Sequence, residues 1–516
     1  MNFPMDYFEE IIQEILDGTI STPNELQKAK MRLCKKYNRP ELPKNGTILK
    51  KVDEMEEVSR DEVLHVLQRK PARKKSGVSV IAVMTSPAEC PHGRCLMCPG
   101  GPDTEEPSPQ SYTGNEPAAL RAGRNEYDPY EQVKDRLDQY DAIGHEPDKI
   151  ELIIMGGTFP ARDWGYQKNF IKRCFDALND EPSDSLEEAK KINETAERRC
   201  IGLTIETRPD YCKEEHLKKM LKLGATRVEI GVQSIRDELL ENIQRGHSVK
   251  DSVEATKLAK RYGFKVCYHM MPGLPASTKE EDLEEFKQLF EDERFEPDLL
   301  KIYPTLVVKG TELYEMWKRG EYEPYSTQEA ADLVAEMKSI VPKYVRIQRV
   351  QRDIPSNLVD AGVDKSNLRQ YARSSLKGKN LQCDCIRCRE VGHSDETIDH
   401  ENLDLSIIEY EASGGTEYFI ELGEDDIIAG YARLRTEENK TPILRELKVV
   451  GEMTPVDEKG QDFQHMGYGK QLMQKCEEKA KEHSNALKII SGIGAREYYR
   501  KLDYELEGHY MIKYFD

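Results

Sequence analysis

VSVIAVMTSPAECPHGRCLMCPGGP (78–102) decides how this chain is read. Six of its first seven residues are apolar and four are β-branched, the pattern of a strand buried on both faces. A short loop then delivers Cys90, Cys95 and Cys98, followed by Pro99-Gly100-Gly101-Pro102. Three thiolates within nine residues can hold three irons of a [4Fe–4S] cube and leave the fourth iron open to an external ligand. The alternative is a zinc knot, with His92 as the fourth ligand.

Downstream, five more apolar stretches follow: ELIIMGGTF (151–159), IGLTIETRP (201–209), TRVEIGVQS (226–234), KVCYHMMPG (265–273) and LLKIYPTLV (299–307). Charged segments of helical period, such as KEEHLKKMLKLGA and DSVEATKLAKRYG, lie between them. Strands alternating with helices imply parallel βαβ units, and six of them imply a closed or partial barrel. Chemistry in such barrels sits at the C-terminal strand ends, here GGT, ETRPD, GVQS and MPGLP. YVRIQRVQRDIP (344–355) alternates as a further strand carrying Arg346, Arg349 and Arg352.

Upstream, nine basic residues and one acid lie between Lys28 and Lys51, and a second run holds Lys70, Arg73, Lys74 and Lys75. The chain as a whole carries a net charge of −19, so two local basic clusters point to a polyanion held in one place. An ordinary solvated helix face is the alternative. No apolar run is long enough to span a bilayer, and the N-terminus lacks the basic start and apolar core of a signal peptide. The expectation is a cytoplasmic protein without membrane insertion. Cys34, Cys174, Cys200, Cys212, Cys267 and Cys476 are scattered and expected to pack as small apolar side chains.

Beyond a polar connector (356–400), residues 401–516 read as a small α+β unit. Within the connector, Cys383, Cys385 and Cys388 with a nearby His393 or His400 make a tetrahedral zinc set, closed and therefore structural. In the last unit, Gln464-His465-Met466-Gly467-Tyr468-Gly469-Lys470 follows a strand and opens a helix. Glycines at that spacing let backbone N–H groups approach a pyrophosphate.

With these residues in view, the sequence resembles the radical S-adenosylmethionine superfamily and, within it, the family of the Elongator catalytic subunit with its archaeal and bacterial single-chain relatives. CPGGP (98–102), QSYTGNEPAALRA (110–122), MGGTFPA (155–161), TIETRPDYC (204–212), EIGVQS (229–234), MMPGLP (270–275), KIYPTLVVKGTELYE (301–315), RIQRVQRDIP (346–355) and REYYRKLDYELEGHYMIKYF (496–515) carry the likeness. Four residues separate Cys90 from Cys95 where the superfamily usually has three. The resemblance implies an α/β architecture: a basic helical N-terminal region (1–75), a partial (βα)6 radical SAM barrel (76–355), a zinc-binding connector (356–400) and a GNAT acetyltransferase-like domain (401–516).

The same resemblance implies the sites. S-adenosylmethionine would chelate the open iron, with Gly156 and Gly157 at its amino group, Glu206 at its ribose and Gln233 at the same mouth. For Glu206 the alternative is a structural salt bridge to Arg208. The Q-x-x-G-x-G segment resembles the acetyl-CoA loop of GNAT proteins, which implicates Gln464, Gly467, Tyr468, Gly469 and Lys470. The backbone of Glu446, Leu447, Lys448 and Val449 would pair with the pantetheine arm, Tyr499 would meet the CoA sulfur, and Lys149 would reach in from the barrel. Asp503 stands where GNAT chains often have Gly. The reaction implied is carboxymethylation of the wobble uridine of tRNA at C5, with the basic clusters, Arg346, Arg349 and Arg352 on the anticodon stem-loop. A GNAT-type lysine acetyltransferase with a structural iron–sulfur module and a non-catalytic tRNA-binding scaffold are the alternatives. A homodimer and accessory subunits both stay open.

Overall fold

The computed structural model describes residues 6–55, 58–68, 77–104, 107–145, 147–393, 398–399, 402–450 and 467–515. Lys70, Arg73, Lys74, Lys75, His400 and Gln464 lie outside the described residues.

Seven strands, β1 (Ser79–Met84), β2 (Lys149–Met155), β3 (Arg199–Thr207), β4 (Arg227–Gln233), β5 (Lys265–Met270), β6 (Leu299–Ile302) and β7 (Arg346–Arg349), form one sheet in sequence order. Every neighbouring pair is parallel. All six expected strands are present, and the 344–355 stretch supplies the seventh, so the sheet is an open half-barrel. Helices cover the outer face. Trp164–Asn179 buries Phe170, Ile171, Cys174 and Phe175 in the main core. Val249–Arg261 and Lys279–Glu291 start at Ser248 and Thr278, each closing a capping box.

Strand alternation sends the other residue set inward, and here it is polar. Glu151, Thr204, Glu206, Arg227, Glu229, Cys267, His269 and Lys301 share the inner face and contact one another. A barrel filled only for stability carries branched apolar side chains at these positions. An inner face of charges marks a surface that meets ligands at one end.

A second sheet has β8 (Asp404–Glu411), β9 (Thr416–Glu424), β10 (Ile427–Thr436), β11 (Ile443–Val449), β12 (Ala486–Ile489), β13 (Glu505–Glu507) and β14 (Tyr510–Tyr514), in the order β13-β14-β12-β11-β10-β9-β8. All neighbours are antiparallel except β11 and β12. The helix Tyr468–Lys481 packs Leu472, Met473, Cys476 and Ala480 on this sheet. Asp503 adopts φ +67°, the backbone a glycine would take, so the turn survives the substitution.

The second sheet docks on the N-terminal end of the half-barrel strands through buried charge. The Arg445 guanidinium donates to Asp298 at 2.6 and 2.8 Å, to Glu417 at 2.8 Å and to the Phe264 carbonyl at 2.8 Å. Arg435 donates to Glu417 at 3.0 Å, and the Lys260 ammonium lies 3.6 Å from Asp298 and 3.8 Å from Glu417. All five side chains are at most 1% exposed. Nearby, the chain after β12 runs against β3 so closely that a Cβ on Gly492 would stand 2.0 Å from the Ile201 carbonyl oxygen. Gly492→Ala should therefore destabilise the protein by about 1–3 kcal/mol, read as a lower urea midpoint, because backbone rather than a movable side chain opposes the methyl.

The N-terminal helices Tyr7–Leu16, Pro23–Lys36, Asn45–Asp53 and Arg60–Leu67 enclose a separate core of Ile11, Ile12, Leu33, Leu49 and Val52. Part of the 28–51 cluster is spent internally. Lys30 is buried and donates to the Pro43 carbonyl and Asn45 at 2.6 Å, while Arg32 pairs with Glu14 and Lys36 with Glu10. The six scattered cysteines are all buried. Among the described residues, no helix is long and apolar enough to cross a membrane.

Candidate functional site

The loop after β1 brings Cys90, Cys95 and Cys98 to the C-terminal end of the sheet. They line a pocket, open at its mouth, together with Gly157, Glu206, Gln233, Arg349 and Arg352. Arg245, from the far side of the barrel, directs Nη1 at Cys95 Sγ (3.5 Å), and the Ser111 N–H donates to Cys98 Sγ (3.1 Å). The three sulfurs do not all fall within 4.8 Å of one another. Thiolates on one tetrahedral zinc sit about 3.8 Å apart, given Zn–S bonds near 2.3 Å, whereas thiolates on different irons of a cube stand wider. The wider spacing fits a cluster, whose thiolates sit on separate irons. His92 places Nε2 3.1 Å from Cys95 Sγ.

Gly156 and Gly157 end β2 with φ of +110° and +71°. A Cβ on Gly156 would meet Thr85 Oγ1 at 2.5 Å, while Gly157 is nearly open, with only Cys90 Sγ at 4.0 Å. Gln233 ends β4 at φ +70°, a conformation that a non-glycine residue holds only when its surroundings impose it. Glu206 does not pair with Arg208. Arg208 forks onto Asp210 and reaches the carbonyls of Arg245 and Gly246, while Glu206 accepts from Tyr112 Oη (2.8 Å) and Lys301 Nζ (3.2 Å). Lys301 also pairs with Glu229. Tyr112 and Lys301 were not expected from sequence. Each sits within a motif the resemblance quotes, but only the folded chain brings them together on Glu206.

The three arginines of 344–355 part company. Arg349 and Arg352 line the pocket mouth, where Arg349 pairs with Asp353 and Arg352 donates to the Ser111 carbonyl. Arg346, expected on RNA, is buried at the opposite end of β7 and paired with Glu390. A side chain so enclosed has no face for a phosphate, which corrects that assignment.

In the second sheet, β11 pairs with β10 along Glu446–Val449, but its pairing to β12 stops at Leu444, with a last bond from the Ile490 N–H at 3.2 Å. A bulge at Arg445 turns that side chain into the seam and leaves the next four residues splayed from β12. The free backbone edge of Glu446–Val449 is an extended surface on which an amide-bearing arm can pair. Gly467 caps the following helix at φ +91°. A Cβ on Gly469 would meet Tyr498 Oη at 2.8 Å and Val449 at 3.9 Å, so helix start, β11 and Tyr498 converge. Tyr498 Oη is buried without a partner among the described residues, and Tyr499, whose hydroxyl burial pushes above the usual range, packs beside it. Sequence reading missed Tyr498, although it is adjacent in the same motif. Lys448 faces the half-barrel, and burial, with Arg346 nearby, pushes its ammonium down to about 7. Lys149 opens β2 in register with Arg199, which itself packs on Gly494 in the turn after β12.

The thiols of Cys383, Cys385 and Cys388 do lie within 4.8 Å of one another. Lys338 Nζ caps them at 3.2 Å from Cys383 Sγ and 3.5 Å from Cys388 Sγ. His393 does not join them; its Nε2 lies 3.9 Å from Glu390. The short helix that follows binds both sheets, Arg389 donating to Glu421 at 2.8 Å and to the Lys343 carbonyl at 3.3 Å. These cysteines therefore stand where the two large units meet.

A thiol-lined half-barrel mouth and a splayed strand beside a glycine-opened helix define a radical SAM protein that carries an acetyltransferase lobe. Residues 86–290 match the Radical SAM superfamily, 297–378 the Radical_SAM C-terminal domain, 385–504 the Acetyltransferase (GNAT) family and 5–74 the ELP3 N-terminal domain. The chain belongs to the Elongator complex protein 3 family. It is 49% identical over 526 residues to the "tRNA uridine(34) acetyltransferase" of Methanocaldococcus infernus, covering 98% of each chain. It is 42% identical to Elongator complex protein 3 of Schizosaccharomyces pombe, over 97% of each. The solved Methanocaldococcus infernus Elp3 with an N-terminus deletion (1–46) superposes with a TM-score of 0.76 at 47% identity, over 85% of this chain and 100% of that one. Membership implies a [4Fe–4S] cluster and S-adenosylmethionine for the half-barrel and acetyl-CoA for the lobe.

Proposed function

We propose that the protein modifies the wobble uridine of tRNA, building a carboxymethyl group on C5 from the acetyl group of acetyl-CoA. The observation that carries this reading is that one chain fixes both sites: three cysteines at the half-barrel mouth and a strand edge free for a pantetheine arm. The relatives named for uridine 34 of tRNA support the substrate. When bound, the cluster and S-adenosylmethionine supply a 5′-deoxyadenosyl radical able to take hydrogen from the acetyl methyl.

Within that scheme Cys90, Cys95 and Cys98 hold the cluster. Gly156 and Gly157 leave room for the S-adenosylmethionine amino group, and Glu206, held by Tyr112 and Lys301, is oriented as an acceptor for its ribose hydroxyls. Gln233 closes the same mouth. Gln464, Gly467, Tyr468, Gly469 and Lys470 receive the CoA pyrophosphate, Glu446 to Val449 pair with its arm, and Lys149 meets it from the barrel. Tyr499, with Tyr498, serves the thiolate. Arg349 and Arg352, with Lys70, Arg73, Lys74 and Lys75, hold the anticodon stem-loop. Cys383, Cys385 and Cys388 hold zinc.

Anaerobically reconstituted protein with reductant, S-adenosylmethionine, unmodified tRNA and acetyl-CoA labelled on its methyl carbon should place label on uridine, read by mass spectrometry of digested nucleosides. Omitting S-adenosylmethionine should abolish it. Acetylation of protein lysine in air without S-adenosylmethionine would instead favour the lysine acetyltransferase, and tRNA binding without turnover the scaffold.

A further inference from the structure

A radical built on the acetyl methyl can add to C5 of uridine, but addition alone does not give the product. The new C5–CH2 bond opens C5=C6, leaves C5 bearing both its hydrogen and the new substituent, and puts the unpaired electron on C6. Restoring the double bond requires C5 to release a proton, its C–H pair returning to the ring. The resulting ring radical anion must then give one electron to an acceptor. The pocket must therefore offer a base close to the reacting face.

His269 lies near the end of β5 on the inner face and lines the same pocket as the three cysteines. Its Nε2 is 3.0 Å from Glu229 Oε2, and Glu229 is fully buried. Glu229 also pairs with Lys301 and lies 3.2 Å from Arg227. A carboxylate held by two cations can only accept, so the proton of a neutral His269 sits on Nε2 and the Nδ1 lone pair is free. Among the described residues, the side-chain hydrogen bond of the imidazole is the one at Nε2. The Tyr303 ring stands edge-on at 5.4 Å and fixes the imidazole plane. Burial, and then the Lys301 ammonium, lower the histidine below its ordinary value, so it is neutral near pH 7. Cys267 also approaches Glu229 and His269, but the Lys301 ammonium already occupies the carboxylate as a cation would.

A base oriented by a buried carboxylate, with its other nitrogen turned to the reactant, is the arrangement general-base catalysis requires. We infer that His269, oriented by Glu229, is the catalytic base that takes the C5 proton onto Nδ1 after the carbon–carbon bond has formed. The electron leaves to a one-electron acceptor of the iron–sulfur class. This inference rests on the proposed uridine reaction.

The labelled assay on the whole protein, with 5′-deoxyadenosine and modified uridine counted together, separates the two. His269→Gln keeps an N–H donor for Glu229 and removes the base. It should leave deoxyadenosine formation within twofold of wild type and lower labelled uridine by about hundredfold, the scale of a lost general base. His269→Gly should lose product likewise and regain it on adding imidazole. Wild-type product with an unchanged product-to-deoxyadenosine ratio in His269→Gln would overturn the inference, as would equal loss of both species without imidazole rescue. Absence of labelled uridine from wild type would instead overturn the uridine reaction itself.

Discussion

Asp298→Ala should lower the free energy of unfolding by about 3–5 kcal/mol, the range for removing one partner from a buried ion pair. The substitution leaves Arg445 and Lys260 with Glu417 alone of the two carboxylates both face, in a seam where neither side chain is exposed to water. It also removes the acceptor for the Val266 N–H, bonded at 2.8 Å. Asp298→Asn retains that acceptor and loses only the charge, so it should cost less. Burial alone would push the Asp298 carboxyl up, but Arg445 and Lys260 outweigh it and hold the group well below the usual carboxylate range. Its folded value is depressed. Its contribution is therefore complete above the unfolded value near 3.9 and is lost as pH falls below that. Urea melts at pH 7 and pH 3 should show a large penalty for Asp298→Ala at pH 7 and a smaller one at pH 3. An equal penalty at both would place the damage in packing instead of charge.

Cys98→Ala should abolish S-adenosylmethionine cleavage. Cys98 is buried, and its sulfur is aimed by the Ser111 N–H; as one of the three ligands proposed above, its loss leaves two thiolates for a cube that needs three. Iron and acid-labile sulfide per chain should fall sharply after anaerobic reconstitution, and 5′-deoxyadenosine should drop below detection. Acetyl-CoA binding to the second sheet should be unchanged. Cys267→Ala is the control, a buried cysteine on the inner face that should reconstitute as wild type. Full iron content in Cys98→Ala would remove Cys98 from the donor set.

The half-barrel was legible because its strands are mostly apolar and several end in glycine-bearing turns, and the helices between them keep a helical period. The cysteine spacing alone marks the chemical end of the sheet. What sequence could not yield is pairing across strands. Lys301 and Glu229 read as a lysine and an acid in apolar stretches, and only the register that sets β4 beside β5 and β5 beside β6 makes them a unit with His269. Arg445, Glu417 and Asp298 look like solvated charges in a chain rich in them, and nothing local marks them as the contact between two sheets. Arg346 failed for the reverse reason. Strand alternation places it on a face but not at an end, and it lies at the wrong end for a phosphate.

The bulge at Arg445 ties the ionic seam to the lobe's cleft, because the same extra residue that anchors the seam sets the splay of Glu446–Val449. Parting the two sheets would uncover Arg445, Lys260, Asp298 and Glu417 together. The distance between the thiol-lined mouth and the open strand edge is therefore not a cheap degree of freedom. In the proposed reaction, traffic between the two sites then depends on the reach of the travelling group, a tether swinging on a fixed frame, and lengthening or shortening that tether should alter transfer more than loosening the protein would.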